Sequence, residues 1–441
     1  MAAPRPIIVL TGANSGVGFG ISQRLLVQLT QKNPTDALPQ FQPLGTTSVD
    51  SLQEHYDGLT LIMACRSEAR ALAARSKLIA LLDSLVAEQK ALPGYDGHAE
   101  RFRKNVEINY HHLDMLDVNS TFRFTEELSK KYSYVSHLIC NAGAAFWTGI
   151  DRWAAVRSTF KRGFCWTVTL PPFKLQSTGI MSNDGLGATW QGNLFGHYIL
   201  YRRLRPLLLA YASLCDQPSR VIWTSSLESQ PRWYDRDDWQ LVKTDHAYEA
   251  SKYQIDLVAG KLDKISRQQG GEGDVIRHMI AHPGVSHSEM TRGMVSYVTD
   301  ICKILAFYVA RLLGSPHHPI DPIIAAASVV HIALAAIVVI PTSLLGFAYA
   351  HSTTGSSRTL WDASLPNMEL YDGGVESAEK SRAAELEGDI VPIKFGTQTD
   401  RRGRAYVGVM PVFDWAEHEE EADYLLEKCE GLYQSFSTLQ R

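Results

Sequence analysis

The sequence predicts an α/β protein built on a doubly wound parallel sheet, and three observations predict it. Short apolar strands alternate with helix-period segments along most of the chain. The first strand, IIVLT at 7–11, runs directly into a glycine-rich turn and then into the helical pattern ISQRLLVQL. The chain has 441 residues, 45% hydrophobic and 20% charged, enough to bury a large core. Candidate strands are 7–11, 60–65, 106–114, 137–141, 220–225, 275–282 and 346–349, with helices at 19–30, 67–90, 119–132, 185–213 and 247–268. Right-handed crossovers between such strands wind helices onto both faces.

Three insertions interrupt the scheme. Residues 31–58 read as a surface loop. Residues 148–183 and 227–246 are aromatic, with Trp153, Phe160, Phe164, Trp166 and Phe173 in one and Trp233, Tyr234 and Trp239 in the other. They read either as covers over a substrate or as packed excursions. Residues 353–403 are polar and read as partly flexible; AYVGVMPVF and a charged amphipathic helix follow. The expected organisation is a core at 1–290, a hydrophobic segment at 291–350 that completes it, and a polar extension at 351–441 that ends in a helix.

A net charge of −4 with no long Lys/Arg run argues against a nucleic-acid surface. Six cysteines (Cys65, Cys140, Cys165, Cys215, Cys302, Cys429) lie far apart with no CxxC pair, which reads as reduced thiols facing the cytosol. The apolar residues from position 6 already form a strand, so no cleavable signal peptide is expected. The stretch 323–340 is apolar except for Ser328 and His331, and reads as a core helix, a membrane-surface segment or a short span. Segment 302–313 sets Lys303 and Arg311 among apolar residues, as in a helix lying on lipid.

Strand, turn and helix at 7–29 suit a nucleotide pyrophosphate. Thr11, Gly12, Asn14, Ser15, Gly16, Val17 and Gly18 form a turn that admits close approach, and the free N–H groups of the following helix attract the charge. No Gly-Lys-Ser/Thr follows, so a nicotinamide dinucleotide is favoured over ATP. Arg66 closes the second strand where an NAD-binding chain usually carries an acid, and a guanidinium suits a 2′-phosphate; NADP(H) is therefore expected. Tyr248 and Lys252 stand four apart on one helix face, where an ammonium would lower the phenol's pKa toward the working range of an acid–base group. Their helix follows a strand that ends in Ser225-Ser226, whose hydroxyl would reach the same carbonyl oxygen. The pairs His111-His112 and His317-His318 lack a matching ligand set, so no metal is expected.

With these motifs in order, from the turn at 11–18 through Asn141-Ala142-Gly143, Asn193, Ser226, Tyr248-x3-Lys252 and Pro283-Gly284, residues 6–290 resemble the short-chain dehydrogenase/reductases. The resemblance implies a Rossmann-type fold. It makes Tyr248 the proton donor, Lys252 the group that lowers the tyrosine pKa and holds the nicotinamide ribose, and Ser226 the positioner of the substrate oxygen, with Ser225 in reserve. It has Asn193 kink its helix and order a relay water. Asn141, Ala142 and Gly143 would line the cofactor, Asp114 would bind the adenine amine, and Pro283, Gly284 and Ser288 would lie at the carboxamide. Ser288 stands where the family often has threonine, and the gap from serine to tyrosine is longer than usual.

The segments DGLGATWQGNLFGHYILYRRLRPLL and AYEASKYQIDL, with the late hydrophobic stretch, are similar to the 3-keto-sterol reductases of sterol C-4 demethylation, particularly the fungal ones. That implies reduction of a 3-oxo-4-methyl sterol to its 3β-alcohol. It also implies an address on the cytosolic face of the endoplasmic reticulum or lipid droplets, beside a C-4 methyl oxidase and a decarboxylase. The rival readings are a dehydrogenase of retinol or another lipid alcohol, and a catalytically idle NADP-binding scaffold.

Overall fold

The computed structural model describes residues 4–38, 56–215, 217–269, 275–287, 297–336 and 391–439. Strands β1 (Ile7–Thr11), β2 (Leu59–Cys65), β3 (Val106–His112), β4 (His137–Cys140), β7 (Ser219–Thr224), β8 (Ile276–His282), β9 (Ile393–Thr399) and β10 (Ala405–Pro411) form one sheet in the order β3-β2-β1-β4-β7-β8-β9-β10. All neighbours are parallel except the β9–β10 pair at the edge. Strands β5 (Trp147–Ile150) and β6 (Lys174–Gln176) pair separately as a two-stranded antiparallel sheet.

The helices are α1 (Gly16–Leu29), α2 (Glu68–Lys90), α3 (His98–Lys104), α4 (Val118–Lys131), α5 (Arg152–Arg162), α6 (Phe164–Thr169), α7 (Ala188–Trp190), α8 (Gly196–Cys215), α9 (Ala247–Gln269), α10 (Tyr297–Leu312), α11 (Pro322–Ala325), α12 (Ala327–Leu334) and α13 (Trp415–Leu439). A π-helical turn, Gln191–Phe195, joins α7 to α8. The sheet is covered on both faces, so its strands are apolar throughout and their side chains divide by alternation. Ile7 and Val9 join a core with α4, α8, α9 and α13; Ile8 and Leu10 join a second core with α1, α2 and α12.

Six of the expected strands stand within two residues of their expected limits. The seventh parallel strand is Ile393–Thr399, inside the 353–403 stretch expected to be polar and partly flexible. Its sequence, IKFGTQT, reads as surface because half of it is polar, yet the sheet buries it by satisfying those groups. Thr397 Oγ1 donates to the Ala325 carbonyl and accepts from Ser328 N. The segment 391–439, expected as part of a separate extension, supplies two strands of the central sheet and a helix packed on α9. The expected strand at 346–349 lies outside the described residues, and α3 was not anticipated.

Of the three readings of 323–340, the described part packs as core. Residues 325–335 are buried in the second core. Helix α11 lies so close to α1 that a Cβ on Gly20 would collide with the Pro322 carbonyl. Among the described residues no helix is long and apolar enough to cross a membrane. Helix α10, by contrast, exposes Ile301, Leu305, Tyr308, Val309 and Leu312. The aromatic insertions also divide. Trp166 is buried, whereas Trp153 and Phe160 on α5 are 83% and 88% exposed. In the second insertion Trp239 packs edge-on against Trp190 and Trp233 stacks on His246, so that loop is a packed excursion.

Candidate active site

The chain reverses direction across the sheet at β1 and β4, and this leaves a crevice at their carboxyl ends, where open α/β sheets bind ligands. Thr11 ends β1 and organises it. Its Oγ1 accepts from Asn141 N at 2.9 Å and Ala142 N at 2.8 Å, while Asn141 Nδ2 donates to the Thr11 carbonyl at 3.0 Å. Gly12 and Gly16 have φ of +68° and +51°, a region costly for any residue with a Cβ. A Cβ on Gly18 would collide with the Gly12 carbonyl oxygen, so the turn closes only with glycine there.

Ser15 is the N-cap of α1 but its side chain does not cap, which leaves the first N–H groups of the helix available to an anion. The backbone of Ala13 and Asn14 lies near the end of β2, where burial pushes the Cys65 thiol up to about 11 and those two backbone groups oppose the rise. Val17 packs into the second core. Arg66 follows β2 with its side chain 64% exposed, and its guanidinium stands 4.0 Å from Asp114 Oδ2. Asp114 Oδ1 meanwhile accepts from Leu116 N, while Asp117 caps α4. The two ends of the crevice are thus a bare helix terminus and an exposed guanidinium, a pattern that fits a dinucleotide with a 2′-phosphate.

Tyr248, Lys252 and Ser226 converge at the other side of the crevice. Lys252 is buried and donates to the Thr224 carbonyl at 2.8 Å; its Nζ lies 5.6 Å from the centre of the Tyr248 ring. The Ser226 hydroxyl acts on the Tyr248 phenol, lowering its pKa, and accepts from Glu228 N at 3.1 Å. Ser225 Oγ, by contrast, is buried with no partner, so Ser226 is the serine that faces the tyrosine. Lys252 is pushed down to about 8 by burial, against the opposing charge of Asp256. The expectation that Lys252 lowers the tyrosine pKa does not match this arrangement. Burial pushes Tyr248 well above the ordinary phenol value, Glu228 and Glu249 add to the rise, and only Ser226 opposes it.

Asn193 sits in the π-turn, the distortion expected of it. Its Oδ1 accepts from Ala144 N at 2.6 Å, and its Nδ2 donates to Ala144 O at 3.0 Å and Ser251 Oγ at 2.8 Å. A Cβ on Gly143 would stand 3.2 Å from Asn193 Oδ1 and 3.9 Å from Lys252 Nζ, which places Gly143 between them. The Asn193 carbonyl meets His197 Nδ1 at 3.0 Å, and His197 Nε2 meets Thr11 Oγ1 at 3.0 Å. Sequence reasoning missed this buried histidine, which ties the π-turn to the phosphate loop. Pro283 and Gly284 follow β8, where Gly284 N donates to His282 Nδ1 at 3.3 Å; Ser288 lies outside the described residues.

The β5–β6 sheet covers Tyr248. The Trp147 ring lies edge-on to it at 5.6 Å, and Gln176 Oε1 accepts from Tyr248 N at 2.9 Å. Lys174 Nζ stands 5.5 Å from the phenol ring, pairs with Glu228, and lies 4.0 Å from Glu249. Glu249 in turn accepts from Gln176 Nε2. Glu228 is raised by burial against the pull of Lys174; for Glu249, burial is outweighed by hydrogen bonds and by Lys174, and its pKa falls. Glu249 is adjacent to Tyr248 in sequence, but nothing in sequence ties Lys174 or Glu228 to the site.

No protein-family model matches the chain. It is 30% identical over 329 residues to a 3-keto-steroid reductase of Candida albicans, an alignment that covers 74% of this chain and 81% of that one. A second, from Candida albicans strain SC5314, is 34% identical over 230 residues, covering 52% of this chain and 63% of the relative. A Schizosaccharomyces pombe 3-keto-steroid reductase is 28% identical, covering 73% of this chain and 80% of its own. Among solved structures, the Pseudomonas aeruginosa RhlG/NADP active-site complex aligns at a TM-score of 0.44 and 17% identity, over 75% of this chain and 90% of that one. By its likeness to the Candida albicans reductase, this chain belongs to the 3-keto-steroid reductase family.

Proposed function

We propose that the chain reduces a 3-keto, 4-methyl sterol to its 3β-alcohol with NADPH. The observation that carries this reading is the convergence of Ser226, Tyr248 and Lys252 beside the dinucleotide crevice, in a chain whose relatives are 3-keto-steroid reductases. The turn from Thr11 to Gly18 and the α1 N-terminus hold the pyrophosphate, Arg66 the 2′-phosphate and Asp114 the adenine amine. Asn141 to Gly143 and Pro283-Gly284 flank the nicotinamide, and Lys252 holds its ribose. The bound cofactor supplies the hydride.

The protein's own residues handle the oxygen. Ser226 donates to the carbonyl oxygen and sets it against Tyr248. As negative charge gathers on that oxygen, the Tyr248 proton moves to it; an alkoxide is a far stronger base than a phenolate, so a phenol held protonated by burial is a competent donor. Lys252 balances the phenolate left behind, and Asn193 holds the turn beside Gly143 through which the proton is replaced.

The exposed apolar side chains of α5 and α10 suit contact with lipid, from which a sterol would be delivered. Trp153, Val156 and Phe160 form one exposed face of α5 among Arg152, Arg157, Lys161 and Arg162, and α10 exposes a second apolar face. A basic amphipathic surface of this kind rests on anionic lipid without crossing it. This supports work at the cytosolic face of the endoplasmic reticulum or of lipid droplets, in sequence with a C-4 methyl oxidase and a decarboxylase.

The test is loss of reduced-nicotinamide absorbance with a detergent-dispersed 3-keto-4-methyl sterol, beside retinal. Turnover of the sterol alone supports the reading. Faster turnover of retinal replaces the substrate with a lipid aldehyde. No turnover of either, together with growth rescue by Tyr248→Phe in sterol-deficient cells, makes the chain a scaffold.

A further inference from the structure

Strand β9 carries a lysine where a central strand should carry an aliphatic residue. Lys394 and Asp256 are each 1% exposed at the side chain, and Lys394 Nζ donates to Asp256 Oδ2 at 2.7 Å. The same ammonium reaches the Ser226 carbonyl at 3.3 Å. Asp256 Oδ2 also accepts from the buried Ser229 hydroxyl, while Asp256 Oδ1 has no hydrogen-bond partner. On α9, Tyr248, Lys252 and Asp256 follow at intervals of four and so share one stripe of the helix. The aspartate therefore stands between two buried lysines, one from its own helix and one from the last parallel strand.

A buried ion pair is a poor route to stability, because desolvation of both charges offsets their attraction and an apolar pair often does better. Here the pair touches the loop that presents the reacting serine. The other titratable groups around it are the phenol of Tyr248 on α9, His197 on α8, and His282 on β8 with His317 beyond it. The three histidines are held neutral by burial, and charge from Lys252 or Lys394 further disfavours protonation of His197 and His282. Among the described residues, Asp256 is the carboxylate whose charge acts on Lys252.

We infer that Lys394 and Asp256 act together as a positioning pair for the reaction, with Lys394 holding the Ser226 carbonyl from beneath and Asp256 balancing the Lys252 ammonium. The far C-terminal strand thus supplies part of the support for a site whose other described residues lie between 11 and 284. This inference rests on the reading of Ser226, Tyr248 and Lys252 as the reacting set.

The experiment compares kcat against pH for the full chain, saturated with NADPH and sterol, in Asp256→Asn, Lys394→Met and the double variant. Asp256→Asn removes the negative charge that favours the ammonium, so the alkaline limb assigned to Lys252 moves to lower pH, by about half a unit or more. Lys394→Met frees the carboxylate for Lys252 and removes a competing positive charge, so the limb moves to higher pH; kcat falls about 3–10-fold as the Ser226 carbonyl loses its donor, at a cost near that of one ordinary net hydrogen bond. The double variant returns the limb toward that of the natural chain. Should Asp256→Asn not fold, Ser229→Ala carries the same test, because loss of its donor frees the carboxylate and raises the limb. Limbs that stay fixed or move in the same direction, with a lowered melting temperature, overturn the inference and leave a structural pair. Tyr248→Phe run alongside separates the two failures. If it keeps wild-type turnover, the reading of the site itself falls; if it is inactive while the pair variants keep the natural pH profile, only the positioning pair falls.

Discussion

Two lysines face the Tyr248 ring at nearly the same distance, Lys252 at 5.6 Å and Lys174 at 5.5 Å, and they belong to different parts of the molecule. Lys252 comes from the tyrosine's own helix, is buried, and is backed by Asp256 one turn further along that helix and, through it, by Lys394 of the sheet. Lys174 comes from the two-stranded sheet inserted between β4 and α7 and is occupied by Glu228 and Glu249. On the first side the cation faces one carboxylate, Asp256, which Lys394 also occupies. On the second, two carboxylates outnumber the cation, and their charge helps to hold the phenol protonated. Distance to the tyrosine therefore does not define a role; the counter-charges on each side do.

The largest expected effect breaks the chemistry common to both sides. Tyr248→Phe should lower kcat by about 10³–10⁴-fold, at the upper end of what a positioned acid contributes, while NADPH titration by fluorescence gives an unchanged Kd. Retained turnover would remove the tyrosine from the mechanism.

On the side of the cofactor, Arg66→Ala should cut the preference for NADPH over NADH by about 10–100-fold, the worth of one charge-assisted contact to phosphate. Initial rates with the two cofactors check this, and an unchanged ratio would reduce Arg66 to a solvated side chain.

On the side of the two-stranded sheet, Glu228→Gln removes a negative charge that disfavours phenolate, so the pH at which the phenol ionises should fall. Lys174→Met leaves two carboxylates uncompensated and should move it up, with kcat down by about tenfold, since a carboxylate stripped of its buried partner disturbs the cover over Tyr248. Opposite shifts in the pH profile of alcohol oxidation confirm the contrast between the two lysines; identical shifts abolish it.

The smallest effect on catalysis should come from Trp153→Ala with Phe160→Ala. Both side chains are exposed, so stability should change by less than about 0.5 kcal/mol each and turnover in detergent should hold. Flotation with vesicles of anionic lipid should fall by about tenfold. Unchanged flotation would remove α5 from the lipid contact.

The cofactor half was legible because its constraints are local. The turn at 11–18 needs glycine at positions set by backbone geometry, and Tyr248 and Lys252 meet by helical spacing alone. Ser226 was legible as one of two, and its action on the Tyr248 phenol distinguishes it from Ser225, whose hydroxyl is buried without a partner. Strand β9 was not legible, because IKFGTQT carries polar groups that look solvated until α11 and α12 satisfy Thr397 and Asp256 of α9 pairs with Lys394. The apolar stretch from 323 left three readings open, since a helix buried in a core and one buried in lipid have the same composition.

By itself, the sequence determined the alternation that builds the sheet, the glycine turn at its first strand, and the order of serine, tyrosine and lysine along the chain. Each depends on periods or angles that extend over a few residues. Only the tertiary structure decided that residues 393–399 close the sheet, that Lys394 reaches beneath Ser226, and that Lys174 covers Tyr248 in the company of two acids. Those pairings join residues 54 to 168 positions apart, and their energies come from burial and charge that exist only once the strands have met.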